Sequence, residues 1–334
     1  MMEIIYFRDP EGNFGDDLNA DLWPALLPQH VLDSDRVRLL GIGSILNATS
    51  LARAGQSRLP TFVLGSGTSY GRPPHDLDGL TVNAVRGPFT ARALGHPEAA
   101  VTDGAILMAA TPGFLPATRA ASGIVYVPHH KSLWRGHWKR VAETAGMTFI
   151  DPRWPVGKVL QVMAGAKLVI AEAMHGAIFA DTLRIPWIPI VGSPRIDAFK
   201  WRDWTLSIEQ AYNPIMIPSS TWVEAQEVRQ LQQTEQMRIE AFKLGDHATQ
   251  AELVAYLTSR HPESAGVHKA PLTASMRRIV LAGSRLAANV THVGHAAEAL
   301  SKASNGPQYL SRDAVFDSRL SRMMDGVQVL TKMA

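Results

Sequence analysis

Lys167-Leu168-Val169-Ile170-Ala171-Glu172-Ala173-Met174-His175-Gly176 is an apolar run that stops at a carboxylate and passes, through a histidine and a glycine, into Ala177-Ile178-Phe179-Ala180. Four unbroken apolar residues bounded in this way read as a strand buried on both faces, and the stretch after them as the start of a helix. A second apolar run at 187–191 completes a strand, helix, strand unit, the repeat from which parallel sheets are built.

The same texture extends outward from residue 2 to about 218. Strands are predicted at 3–7, 37–43, 61–65, 81–86, 100–102, 124–128, 147–151, 167–171, 187–191 and 214–217, more than one small sheet holds. The stretch 111–122 carries two prolines and a glycine without helical periodicity and reads as a domain boundary. The expected fold class is therefore α/β, with two Rossmann-like domains at 1–118 and 119–218. Beyond these, Ser219-Ser220 caps a predicted helix to about 244, a second helix follows at 247–257, and 219–260 is expected to close the body. After a loose segment at 261–270, Ile279, Gly283, Leu286, Val290, Val293, Ala297 and Leu300 repeat at helical spacing. So do Phe316, Leu320, Met323, Val327 and Leu330, with a turn at 304–307, which predicts an amphipathic helical hairpin over 265–334.

Composition limits the chemistry. The 334 residues are 46% hydrophobic and 19% charged and suit two domains. No cysteine is present, which excludes disulfides, thiolate zinc sites, iron–sulfur clusters and cysteine nucleophiles, and fits a reducing compartment. A net charge of +3 is too small for a nucleic-acid binder, so none is expected as partner. That charge is concentrated: residues 265–334 carry +5 and residues 1–264 carry −2. No apolar run reaches the roughly 18 to 20 residues of a membrane span, and Met1-Met2-Glu3-Ile4-Ile5 lacks the basic start of a signal peptide. A cytoplasmic protein is expected. The basic hairpin reads either as a cover or dimer seam, or as a contact with anionic lipid at the inner face of the membrane.

Ligands of open parallel sheets bind beyond the carboxyl ends of the strands. Those ends carry Asn13-Phe14-Gly15-Asp16-Asp17, Gly41-Ile42-Gly43-Ser44, Gly65-Ser66-Gly67-Thr68, Arg86-Gly87-Pro88 and Asp103-Gly104. Further along come Pro128-His129-His130-Lys131, the Glu172-to-Gly176 turn, and Gly192-Ser193-Pro194-Arg195. Glycines here let backbone N–H groups approach an anion, and Arg86, His129, Lys131, His175, Arg195 and Lys200 add positive or protonatable groups. Each also has a plain structural reading, as tight turns, surface charges or caps; Trp201 and Trp204 read as packing groups. No carboxylate joins His129, His130 and His137 and no His-Glu-x-x-His occurs, so neither metal nor cofactor is expected.

Taken together, Asn13 to Asn19, Gly41-Ile42-Gly43-Ser44, Val85-Arg86-Gly87-Pro88, Asp103-Gly104-Ala105, Val127-Pro128-His129-His130, Met174-His175-Gly176 with Ala180, and Phe199 to Trp204 resemble the polysaccharide pyruvyl transferase family. Within it, the bacterial exopolysaccharide ketal pyruvate transferases are the nearest likeness. The resemblance covers about residues 1–215. It implies a fold similar to GT-B glycosyltransferases, and transfer of pyruvate from phosphoenolpyruvate onto two hydroxyls of a lipid-linked sugar as a cyclic ketal. His175 matches the family's catalytic histidine, as general acid or phosphate partner, and Glu172 or Asp16 is the candidate base. Arg86 and Arg195 are expected to hold the anionic donor, aided by Lys200, His129, Lys131, Gly43, Ser44 and Gly67. Many members carry arginine two residues before the histidine; here that position is Ala173, so its contact falls to Arg195, Lys200 or Lys131. A nucleotide-sugar glycosyltransferase and an inactive scaffold of a polysaccharide assembly complex are the rival readings. An NADP oxidoreductase is the weakest, because no complete Gly-x-Gly-x-x-Gly appears.

Overall fold

In the computed structural model, which describes residues 1–55, 57–117, 120–193, 196–233, 244–259 and 288–334, two all-parallel sheets form the body. The first has β1 (Ile4–Ile5), β2 (Arg38–Leu40), β3 (Thr61–Ser66) and β4 (Leu80–Val85) in the order 1-2-3-4. The second has β5 (Ile124–Val127), β6 (Thr148–Phe149), β7 (Leu168–Ala171), β8 (Trp187–Val191) and β9 (Ile215–Met216) in the order 6-5-7-8-9. In that second order the chain reverses direction across the sheet between β5 and β7, the place where parallel sheets generally bind ligands.

The strands are apolar without alternation because both faces are covered. In the first sheet, Leu39, Phe62, Leu64 and Ala84 face one cluster with Phe14, Leu18 and Leu22 of α1 (Phe14–Leu26). Leu40, Val63 and Val85 face another with Ile45, Ala91 and Leu94. In the second, Val125, Val127, Val169 and Ala171 share the first cluster with α6 (Val156–Met163) and α7 (Met174–Thr182). Tyr126, Leu168, Ile170, Ile188 and Ile190 turn toward α5 (Trp138–Thr144).

The predicted strand at 100–102 is reduced to a single bridge between Val85 and Ala100. The chain turns away there because Asp103 Oδ1 accepts from Ala105 N at 3.0 Å and starts a 3-10 helix, Gly104–Ala110. Gly104 also lies so close to β3 that a Cβ on Gly65 would stand 2.3 Å from its nitrogen. The connection from β3 to β4, residues 67–79, holds no helix and reaches toward the second sheet.

The two C-terminal helices do not chiefly pair with one another as the hairpin reading expects. The part of that reading before residue 288 lies outside the described residues. Helix α11 (Ala288–Ala303) lays Val293, Ala296, Ala297 and Leu300 over the second sheet beside α5, whereas α12 (Asp313–Met333) lays Phe316, Met323, Val327 and Leu330 over the first. Gly326 makes that approach close: a Cβ there would lie 2.7 Å from Leu64 Cδ1. The helical period was legible, but the partners of each stripe lie far off in the sequence. Several basic groups of the segment are engaged with the body. Arg319 Nε donates to Ser207 O at 2.7 Å, Arg322 to Ala100 O and Glu98 O, and Arg312 pairs with Glu209. Among the described residues, no helix is long and apolar enough to cross a membrane.

A buried carboxylate ties the sheets together. Asp203, on α8 (Ala198–Ser207), accepts from Phe89 N and Thr90 N at 2.9 and 3.0 Å, at the start of α4 (Pro88–Ala93), and pairs with Arg86 Nε at 3.2 Å. It caps a helix of the other half and neutralises a buried guanidinium.

Candidate active site

Turns beyond the carboxyl ends of both sheets come together, and His175, in the first turn of α7, sits where they meet. Its ring lies against the backbone of Gly15: a Cβ there would stand 1.9 Å from His175 Nδ1, so only glycine admits the imidazole. On the other side, His175 Nε2 is 3.7 Å from Asp103 Oδ2. Next to Gly15, Asp16 takes a 2.5 Å hydrogen bond from Asn13 Nδ2. Burial pushes the Asp16 carboxyl up to about 6 against the opposing pull of His175 and Lys200. Gly43, at φ +134°, brings its backbone to the same carboxylate, since a Cβ there would lie 3.1 Å from Asp16 Oδ1. The imidazole thus has two carboxylates as neighbours, both contributed by the first half of the chain.

Cations line the adjoining wall. Lys200 Nζ donates to the Tyr70 hydroxyl at 3.0 Å, and the ammonium groups of Lys131 and Lys200 lie 5.7 and 5.4 Å from the Tyr70 ring centre. Burial acts to raise the Tyr70 pKa, but the two ammonium groups outweigh it and the phenol is lowered from 10. The loop that carries Tyr70 is pinned one residue earlier, where Ser69 Oγ donates to Asp197 Oδ2 at 2.7 Å. His130, 3.8 Å from Asp9, is held down at about 4 by burial and by the same lysines, so its ring is neutral at pH 7.

Three expected site residues lie behind this surface. Arg86 is fully buried. Besides Asp203 it donates to Ser44 Oγ at 2.7 Å and to Thr68 O at 2.9 Å, and Gly67 exists to admit it, since a Cβ there would meet Arg86 Cζ at 2.3 Å. Its guanidinium therefore braces the Gly43-Ser44 and Gly67-Thr68 turns from behind and is not presented to a donor. Glu172 is equally enclosed: its Oε2 accepts from His129 N at 2.9 Å and its Oε1 from Gly192 N at 3.1 Å, tying together the ends of β5, β7 and β8. Burial pushes it up to about 7. The His129 ring accepts from Lys131 N at 3.4 Å and so closes the turn that presents Lys131. Arg195 lies outside the described residues. Trp201 and Trp204 are buried packing groups, as their sequence reading has it. Among the described residues, no three His, Asp or Glu side chains converge as a metal site.

Tyr70 was invisible in the sequence because its loop has no periodicity. Asp103 was visible only as the Asp-Gly end of a strand; nothing local shows that it faces a histidine 72 positions later.

Comparison with known proteins bears on the same region. The family model described as Polysaccharide pyruvyl transferase matches residues 123–194, the span that carries His129, Lys131, Glu172 and His175. The succinoglycan biosynthesis protein ExoV of Rhizobium meliloti (strain 1021) is 37% identical over 227 residues, which cover 67% of this chain and 70% of that protein. No solved structure matches the chain.

Proposed function

The chain belongs to the polysaccharide pyruvyl transferase family, and from that premise we propose that its cleft takes pyruvate from phosphoenolpyruvate and sets it as a cyclic ketal on a lipid-linked sugar of an exopolysaccharide. The observation that carries this is the adjacency of Lys131, Lys200 and Tyr70 to the Asp16 and His175 pair. A donor bearing a phosphate and a carboxylate close together is matched by two ammonium groups beside one phenol. Lys131 and Lys200 take the role left open by Ala173, and Arg86 is a brace for the turns beneath them.

The reaction proceeds in two stages. Asp16 accepts the proton of one sugar hydroxyl as its oxygen bonds to C2 of phosphoenolpyruvate, and His175 delivers a proton to the methylene carbon, which becomes the methyl group. The second hydroxyl then attacks C2, the bond from C2 to the phosphate oxygen breaks, and inorganic phosphate leaves with the remaining proton. Asp16 is preferred to Glu172 as base because both Glu172 oxygens are occupied by backbone N–H groups. A carboxylate near 6 beside an imidazole suits proton transfer at neutral pH.

Two facing parallel sheets fit a GT-B-like arrangement of two Rossmann-like domains, 1–118 and 119–218, with 219–260 and the C-terminal segment as their cover. The proposed location is the cytoplasm, at the inner face of the membrane where a lipid-linked acceptor is presented. Thermal unfolding with phosphoenolpyruvate, UDP, GDP and NADP in parallel tests the donor. Phosphoenolpyruvate alone should raise the midpoint, and Lys200→Ala should remove most of the shift. A shift with UDP or GDP and none with phosphoenolpyruvate overturns the reading in favour of glycosyl transfer.

A further inference from the structure

Asp103 and His175 leave two polar atoms unsatisfied in the same place. Asp103 is fully buried, and its Oδ1 is used by Ala105 N, yet Oδ2 has no hydrogen-bond partner; neither has His175 Nε2, also buried, 3.7 Å away. A pair kept only for packing closes to hydrogen-bond distance, because an unmade bond between buried groups is costly. Catalytic hydrogen bonds are often this long before substrate arrives and tighten in the complex. The other ring nitrogen is placed as well: Nδ1 lies against Gly15, the residue before Asp16.

We propose that Asp103 is the positioning residue for His175, holding the Nε2–H of the imidazole so that Nδ1 is the nitrogen that exchanges a proton with substrate. In a histidine, the hydrogen bond made by one nitrogen decides what the other can do. Here the deciding carboxylate comes from the first half of the chain and the histidine from the second, so the proton-transfer atom is defined only when the two halves are docked. This rests on reading His175 as the acid–base group of pyruvyl transfer. It adds which nitrogen acts and which residue selects it.

Asp103→Asn is the test, since the amide oxygen can still cap Ala105 while its NH2 faces Nε2 and opposes a proton there. The expected result is a fall in kcat of about hundredfold or more, with KM for phosphoenolpyruvate within about twofold and the neutral His175 ring moved from the Nε2–H to the Nδ1–H tautomer by 15N NMR. Unchanged kcat overturns the proposal, and so does a loss of kcat accompanied by an equal loss of phosphoenolpyruvate binding. The wild-type protein provides a second check that needs no variant: an Nδ1–H tautomer of neutral His175 overturns the assignment, and Nε2–H supports it. His175→Ala with wild-type turnover is a separate result. It removes the underlying reading of the histidine, and is distinguishable because the tautomer measurement does not depend on activity.

Discussion

Asp16 and Glu172 are both carboxylates beyond strand ends, and burial raises both, but they differ in what their oxygens touch. Asp16 faces an imidazole and an ammonium, whereas Glu172 faces backbone N–H groups of two neighbouring strand ends. Asp16→Asn should therefore lower kcat by about hundredfold or more, and wild-type activity should fall on the acid side with an apparent pKa near 6. Because the folded carboxyl keeps its proton up to about pH 6 while the unfolded one releases it near 3.8, stability declines as pH rises through that window. The same variant should thus be more stable than wild type above pH 6 by about 1–2 kcal/mol after allowance for solvent screening, with the gain gone below pH 4. Denaturant unfolding at pH 8 and pH 4 checks it. Glu172→Gln should behave in the opposite sense, leaving kcat of the folded enzyme within several-fold while costing about 1–3 kcal/mol, since an amide NH2 then opposes a backbone N–H. Sequence reading found both carboxylates and could not rank them, because the partners of Glu172 arrive from β5 and β8.

At the scale of elements, α1 and α7 meet through a glycine and a histidine, and α4 and α8 through a buried cap that joins the two halves. Gly15→Ala should leave α1 folded, since alanine favours helix. It should still reduce kcat by at least tenfold, because a Cβ 1.9 Å from Nδ1 must displace the ring; circular dichroism alongside turnover separates the two effects. Asp203→Ala removes the partner of a fully buried guanidinium and the cap of α4 together. A loss of about 3–5 kcal/mol is expected, read from urea unfolding. The elements themselves were largely legible. Runs buried on both faces, such as β7 and β8, stand out as unbroken apolar stretches, and the strand predicted at 187–191 is β8 to the residue. Arg86 misled for a physical reason: a charged side chain at a strand end is ordinarily exposed, and its burial is possible only because Asp203, 117 positions away, is buried with it.

For the molecule as a whole, the C-terminal helices decide how the sheets are covered. Met323 is fully buried on α12 against the first sheet, so Met323→Ala should cost about 2–5 kcal/mol. If α12 is part of the body's core, that loss should appear in one cooperative transition, read identically by fluorescence and circular dichroism. The amphipathic period of this segment could be read from sequence, but its destination could not, because a stripe of apolar side chains names no partner. The cross-brace between Arg86 and Asp203 has a consequence for recombination. A chimaera joining residues 1–117 of one relative to the remainder of another inherits its guanidinium and its carboxylate from different parents. Grafting acceptor or donor preference by swapping halves therefore succeeds only between parents that agree at positions 86 and 203, whatever their similarity elsewhere.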